Sequence, residues 1–184
     1  MQKTDRVLLF RRALRSAGSL LLLLAATVSL GATSSARASE DAGHEVKARY
    51  DDWAVICKKA DRNDCRATYS VVDKESQTLV VHWAVARRDS DGKHTVRIRL
   101  PLGIWMAEGI SLRIGDNRVD GIAITNCDLL GCYVNAILDE PITTSMLTEE
   151  EGALIFRGPD RTEVTTPASM KGFARAAAAL TASR

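Results

Sequence analysis

The sequence predicts an all-β sandwich carrying one short helix and one C-terminal helix. Three observations predict it. Short strand-like runs recur at close spacing after residue 48, turn residues separate them, and four cysteines fall into two close pairs, Cys57 with Cys65 and Cys127 with Cys132.

The chain opens with a different kind of segment. Arg6, Arg11, Arg12 and Arg15 precede an apolar run, Leu20 to Leu30, which leads to Ala36-Arg37-Ala38, so residues 1–38 read as a signal peptide cleaved after Ala38. The run falls short of the about 20 apolar residues that span a bilayer, and no cysteine follows it to accept a lipid. Arg11-Arg12 fits the twin-arginine route loosely, and the general secretory route is the expected one. A periplasmic protein with no transmembrane segment after cleavage is the expectation. The leader holds six of the 25 basic residues and one of the 23 acids, which leaves 19 basic and 22 acidic residues, a net charge of −3 with neutral histidine. The positive balance of the whole chain belongs to the leader. No nucleic-acid partner is expected, because such binding rests on a clustered positive field. The remaining 146 residues suit one core, with a polar, flexible start over 39–47 and a single domain over 48–184.

Within the domain, Tyr50 to Cys57 places Trp53, Val55 and Cys57 on one face, and Arg66 to Val72 follows a polar turn, as in a hairpin. Thr78 to Arg87 is apolar at almost every position and reads as the central strand, covered on both sides. Thr95 to Leu100 alternates, with Val96, Ile98 and Leu100 inward and Thr95, Arg97 and Arg99 outward, and Pro101 ends it because proline lacks an amide donor. A short apolar stretch ends at Ile114, before the turn Gly115-Asp116-Asn117. Arg118 to Asn126 and Cys132 to Leu138 read as two strands of a hairpin, and Leu154 to Phe156 and Glu163 to Thr166 as short strands. Thr143 or Thr144 can cap a short helix that Gly152 stops. Ser169, after Pro167, can cap a longer one in which Met170, Phe173, Ala177 and Leu180 form an apolar stripe.

Four cysteines allow three pairings. The local one is preferred because each pair flanks a turn, where facing strand positions approach to disulfide distance. Zinc fits poorly, since C-x7-C and C-x4-C lack the tight spacing of structural sites, and no C-x-x-C supports redox catalysis. No cofactor or metal is expected. The acidic runs Asp139-Glu140 and Glu149-Glu150-Glu151 lack the alternating ligands and central glycine of a calcium loop. The histidines, His44, His82 and His94, are scattered, and neither G-x-S-x-G nor H-E-x-x-H occurs, so no catalytic set is recognised. An enzyme would have to use His82 or His94 with nearby acids. Two surface features remain as candidates for a partner. Arg97 and Arg99, with Arg87, Arg88 and Arg113, can gather on one sheet face as an anionic-ligand or envelope contact. Trp105 and Met106, between Gly103 and Gly109, can form an exposed apolar anchor.

Taken together, Asp52-Trp53 before Cys57, Cys65-Arg66-Ala67, Arg99-Leu100-Pro101-Leu102-Gly103, Cys127 with Gly131-Cys132, and Lys171-Gly172-Phe173 resemble the invasion-associated locus B family of exported bacterial proteins. The resemblance runs from about Tyr50 to Leu180. It implies an immunoglobulin-like β-sandwich in the periplasm or envelope, no known enzymatic activity, and a binding or interaction role that extends in the family's name to host-cell entry. A structural or stress-related periplasmic protein is the alternative. The partner implied is an envelope or host protein, which the sequence does not name.

Overall fold

Eleven strands and two helices form a two-sheet sandwich over residues 43–182, the part described by the computed structural model; the leader assigned to 1–38 lies outside these residues. The wide sheet begins as a meander of β1 (His44–Tyr50), β2 (Trp53–Lys58), β3 (Cys65–Val72), β4 (Leu79–Arg87) and β5 (His94–Leu100). It is completed beyond β5 by β9 (Gly131–Leu138) and then β8 (Ile124–Asp128). The narrow sheet has the order β11 (Glu163–Ser169), β10 (Glu151–Arg157), β6 (Ile110–Ile114) and β7 (Asn117–Ile122). All pairings are antiparallel. Two short helices, α1 (Ile142–Thr148) and α2 (Phe173–Ala182), complete the domain.

Period-two alternation sets which residues enter the core. Val81, Trp83 and Val85 of β4 and Val96, Ile98 and Leu100 of β5 are buried from the wide sheet, and Ile110, Leu112, Ile114, Leu154 and Phe156 are buried from the narrow one. Four strands cannot cover seven. At about 4.8 Å per strand, three uncovered strands leave a gap of roughly 14 Å, close to the 10–12 Å diameter of one helix. Helix α2 fills it, packing on β1 to β4 through Phe173, Ala176, Ala177 and Leu180. Phe173 meets the Trp53 ring at 4.7 Å between centroids, and Trp53 stacks on Tyr69 at 5.6 Å.

The β1–β2 turn is locked to the β11–α2 connection. Trp53 donates its indole N–H to the Ser169 carbonyl at 2.9 Å, Ser169 donates its hydroxyl to Asp52 at 2.5 Å, and Asp52 N–H reaches the Lys171 carbonyl at 3.3 Å. Gly172, at φ +87°, passes so close to Tyr50 that a Cβ would strike its carbonyl. Asp52-Trp53 and Lys171-Gly172-Phe173 are therefore one junction, which closes the helix over the open half of the sheet.

Several expectations are corrected. The start expected to be flexible over 39–47 contributes His44–Lys47 to β1, whose partner is β2, so the domain begins before residue 48. Arg118 to Asn126 is two strands: the chain leaves the narrow sheet at Ile122 and joins the wide one at Ile124, with Gly121 at φ +67° at the bend. The short strands expected near Leu154 and Glu163 are seven residues each. Pro167 and Ser169 lie inside β11, an edge strand where a missing amide is tolerated, and α2 starts only at Phe173. Helix α1 starts at Ile142 and is over by Glu149, so neither Thr143 nor Thr144 caps it and Gly152 belongs to β10. Strand β4 does sit at the centre of the wide sheet, yet its second face, Val80, His82, Ala84 and Ala86, is half-buried and not covered by another layer.

Candidate functional site

The outer face of the wide sheet explains why β4 reads as apolar throughout. Its small residues form the floor of a shallow trough. One cross-strand row runs Arg49, Ala54, Thr68, Ala84, Arg97 and Asn135, from β1 to β9. A second runs Ser70, His82, Arg99, Tyr133 and Asn126, and the row on the other side holds Ile56 with Arg66, then Ala86, Thr95 and Ile137. These three rows carry four arginines and no acidic residue. A depression of about 440 Å³ lies over Ala84, Ala86, Thr95 and Ile137, with Arg66, Arg97 and Asn135 at its rim.

Two of the arginines rest against rings. The Arg97 guanidinium lies 4.3 Å from the centre of the Tyr133 ring, which buries that ring on an otherwise open face. Arg66 Nη2 is 2.7 Å from His44 Nε2.

The other predicted arginines are not on this face. Arg88 pairs with Asp91 in the β4–β5 turn, and that guanidinium holds the Asp91 carboxyl down to about 2. Arg113 is on β6 of the narrow sheet, and Arg87 ends β4 with its side chain near Gly92. Trp105 and Met106 also part company. Trp105 is half-buried, joined to Arg157 by a β-bridge and covered by the Arg161 guanidinium at 4.1 Å, whereas Met106 is exposed, with its Sδ 3.2 Å from Cys127 Sγ.

Both cysteine pairs lie at disulfide distance, directly across antiparallel ladders, with Cys57 facing Cys65 and Cys127 facing Cys132 at 4.0 Å between Cα atoms. They brace opposite ends of the wide sheet. At the first end Asp61, Asp64, Asp89 and Arg87 line a second depression. At the second end the β8–β9 hairpin presents Leu129 and Leu130, which sequence patterning treats only as turn residues. Two adjacent leucines in the four-residue connection Asp128-Leu129-Leu130-Gly131 are the signal that could have marked them.

His82 shares a 2.9 Å hydrogen bond with Ser70, and its cross-strand neighbour is Arg99. His94 lies 6.4 Å from the Phe173 ring, and burial, aided by Arg87, pushes its pKa below 6.5. Among the described residues no three His, Cys, Asp or Glu side chains gather as metal ligands, and no helix is long and apolar enough to cross a membrane.

Comparison with known proteins agrees with this architecture. The family model described as "Invasion associated locus B (IalB) protein" matches residues 53–181. The fold is similar to the crystal structure of invasion associated protein B from Bartonella henselae, with a TM-score of 0.66 at 19% identity over 76% of this chain and 96% of that one. No curated protein matches.

Proposed function

This chain belongs to the invasion associated locus B family, and from that premise we propose that it is a non-catalytic, exported binding domain of the periplasm and cell envelope, whose contact surface is the outer face of the wide sheet. The observation that carries the reading is the row structure of that face: Arg49, Arg66, Arg97 and Arg99 surround a floor of small residues with no acid among them. A shallow, open trough edged by arginines suits an extended anionic partner. The Bartonella relative is titled an invasion associated protein. A contact with anionic material at the envelope or on a host surface is the corresponding role for this chain.

The test is retention on an immobilised polyanion such as heparin, comparing wild type with Arg66→Glu/Arg97→Glu. Wild type is expected to be retained at low salt and released as salt rises, since screened surface charges carry the contact. The variant, folded by circular dichroism, should pass through. Equal retention of the two proteins would overturn the assignment of this face.

A further inference from the structure

Charge alone leaves part of the trough unused. In one of its cross-strand rows, Arg66 on β3 is followed by Ala86 on β4, Thr95 on β5 and Ile137 on β9, and all four line the depression. Beyond the arginine this row is an uncharged lane. Thr95 donates its hydroxyl to the Ala86 carbonyl at 3.3 Å, and Ile137 is 44% exposed at the far end. From Arg66 to Ile137 the lane crosses three strand spacings, roughly 14 Å.

Cations stand at its head and flank. Arg66 Nη2 meets His44 Nε2 at 2.7 Å, and a guanidinium has further N–H donors to offer a ligand. Arg97 borders the lane from the neighbouring row, with Asn135 opposite it on β9. The nearest carboxylates face bases of their own. Two residues along the strands from Arg66 and Ile137, Asp64 pairs with Lys58 and Asp139 with Lys93, and Asp91 in the β4–β5 turn pairs with Arg88. Asp61 and Asp89 line the second depression together with Arg87. Among the described residues no ion pair is seen at Arg66 or Arg97, whose side chains rest on His44 and Tyr133.

A cation at one end of an apolar lane is complementary to an anionic head carrying an aliphatic tail. A polyanion would meet the arginines but lay charge over Ala86 and Ile137, and an uncharged lipid would do the reverse. We propose that the trough seats a single amphipathic anion, an unbranched alkyl chain ending in a carboxylate or phosphate, with its head at Arg66 and Arg97 and its tail across Ala86, Thr95 and Ile137. This rests on the binding reading of the arginine face and names its ligand class. The volume of about 440 Å³ is that of a small-molecule site, and its shallow form leaves room for a chain to run out over the sheet.

Titration calorimetry on the chain that follows Ala38 tests it, with decanoate and decyl phosphate below micelle formation as probes. Acetate supplies a head without a tail, and decyl maltoside the same tail without charge. One of the anionic amphiphiles is expected to bind at least about tenfold more tightly than either control, with the negative heat-capacity change of apolar burial, and the tighter of the two names the head. Arg66→Gln should weaken that binding by about tenfold, because a charge-assisted hydrogen bond is lost. Ala86→Phe, which fills the lane, should abolish it in a protein whose circular dichroism is that of wild type. Ile137→Ser, at an exposed position, should weaken it about threefold. Acetate binding as tightly as decanoate would show that the lane takes no tail, and decyl maltoside binding as tightly would show that the arginines take no head; either result overturns the inference. So does wild type that is retained on heparin but ignores both amphiphiles, an outcome that leaves the binding reading standing. Failure on heparin as well sinks that reading too.

Discussion

Single residues in this chain carry more of the fold than of the site. Gly172 reads in the sequence only as one member of a motif. The structure supplies the reason: it adopts φ +87° where an added Cβ would strike the Tyr50 carbonyl, so any side chain is both strained and obstructed. Gly172→Ala is expected to lower stability by about 3 kcal/mol, measured by urea unfolding, because backbone strain and a clash with backbone atoms act together. Gly131 is held in the same way against the Leu100 carbonyl. The residues that carry the family resemblance, Asp52-Trp53 with Lys171-Gly172-Phe173 and Leu100 with Gly131-Cys132, thus meet as two structural junctions. That is why the fold is legible in the sequence and the candidate contact face is not. His94 belongs to the same scaffold. Its pKa is pushed below its ordinary 6.5 by burial and by Arg87, with Glu140 opposing. Between those two values the unfolded chain binds a proton that the folded one refuses, so stability falls as pH drops below 6.5 and levels off under the folded pKa. The slope from this one group stays under about 1.4 kcal/mol per pH unit, and it should vanish from the urea-midpoint profile of a His94→Gln variant.

At the scale of elements, periodicity gives a good account where one face is dry and a poor one where the second face is neither dry nor fully wet. Strand β5 alternates cleanly and its inward set is legible. Strand β4 is legible as central but its outer alanines look like core, because composition cannot separate a trough floor from a second packed layer. The β7–β8 corner escapes the pattern for a different reason: Gly121 and Ala123 interrupt a run that keeps its strand-like composition on both sides, so nothing local shows that the chain changes sheets. Pro167 misleads in the opposite direction, since a proline that can open a helix is equally at home on an edge strand. The disulfides act at this scale as well. Loops of this length restrict the unfolded chain only modestly, so replacing Cys127 and Cys132 by serine should cost about 2–3 kcal/mol in the chain-entropy model. The larger effect is expected locally. Amide exchange at Leu129 and Leu130 should accelerate while that of β4 and β5, in the centre of the wide sheet, changes only by the loss of global stability.

For the molecule as a whole, the mismatch between a seven-stranded and a four-stranded sheet decides what the C-terminal helix is for. The apolar stripe of α2 is legible in the sequence, but whether it packs on its own domain or on a partner depends on an area no local pattern encodes. The answer lies in strand count. Uncovered, the inner faces of β2 and β3 would expose Trp53, Val55, Ala67 and Tyr69, all buried in the structure. Such a surface exceeds what a soluble monomer leaves open. Helix α2 is therefore part of the core and not an appendage. Phe173, fully buried against Trp53, should cost about 3–5 kcal/mol when replaced by alanine, through lost burial and the cavity left behind. A chain ending at Lys171 should go further. It loses the whole cover, so its unfolding should lose cooperativity, and the Trp53 emission should shift toward that of an indole in water. A truncated chain that kept both a sharp two-state transition and the emission of a buried tryptophan would show that the wide sheet closes without the helix, and the account of how four strands serve seven would fail.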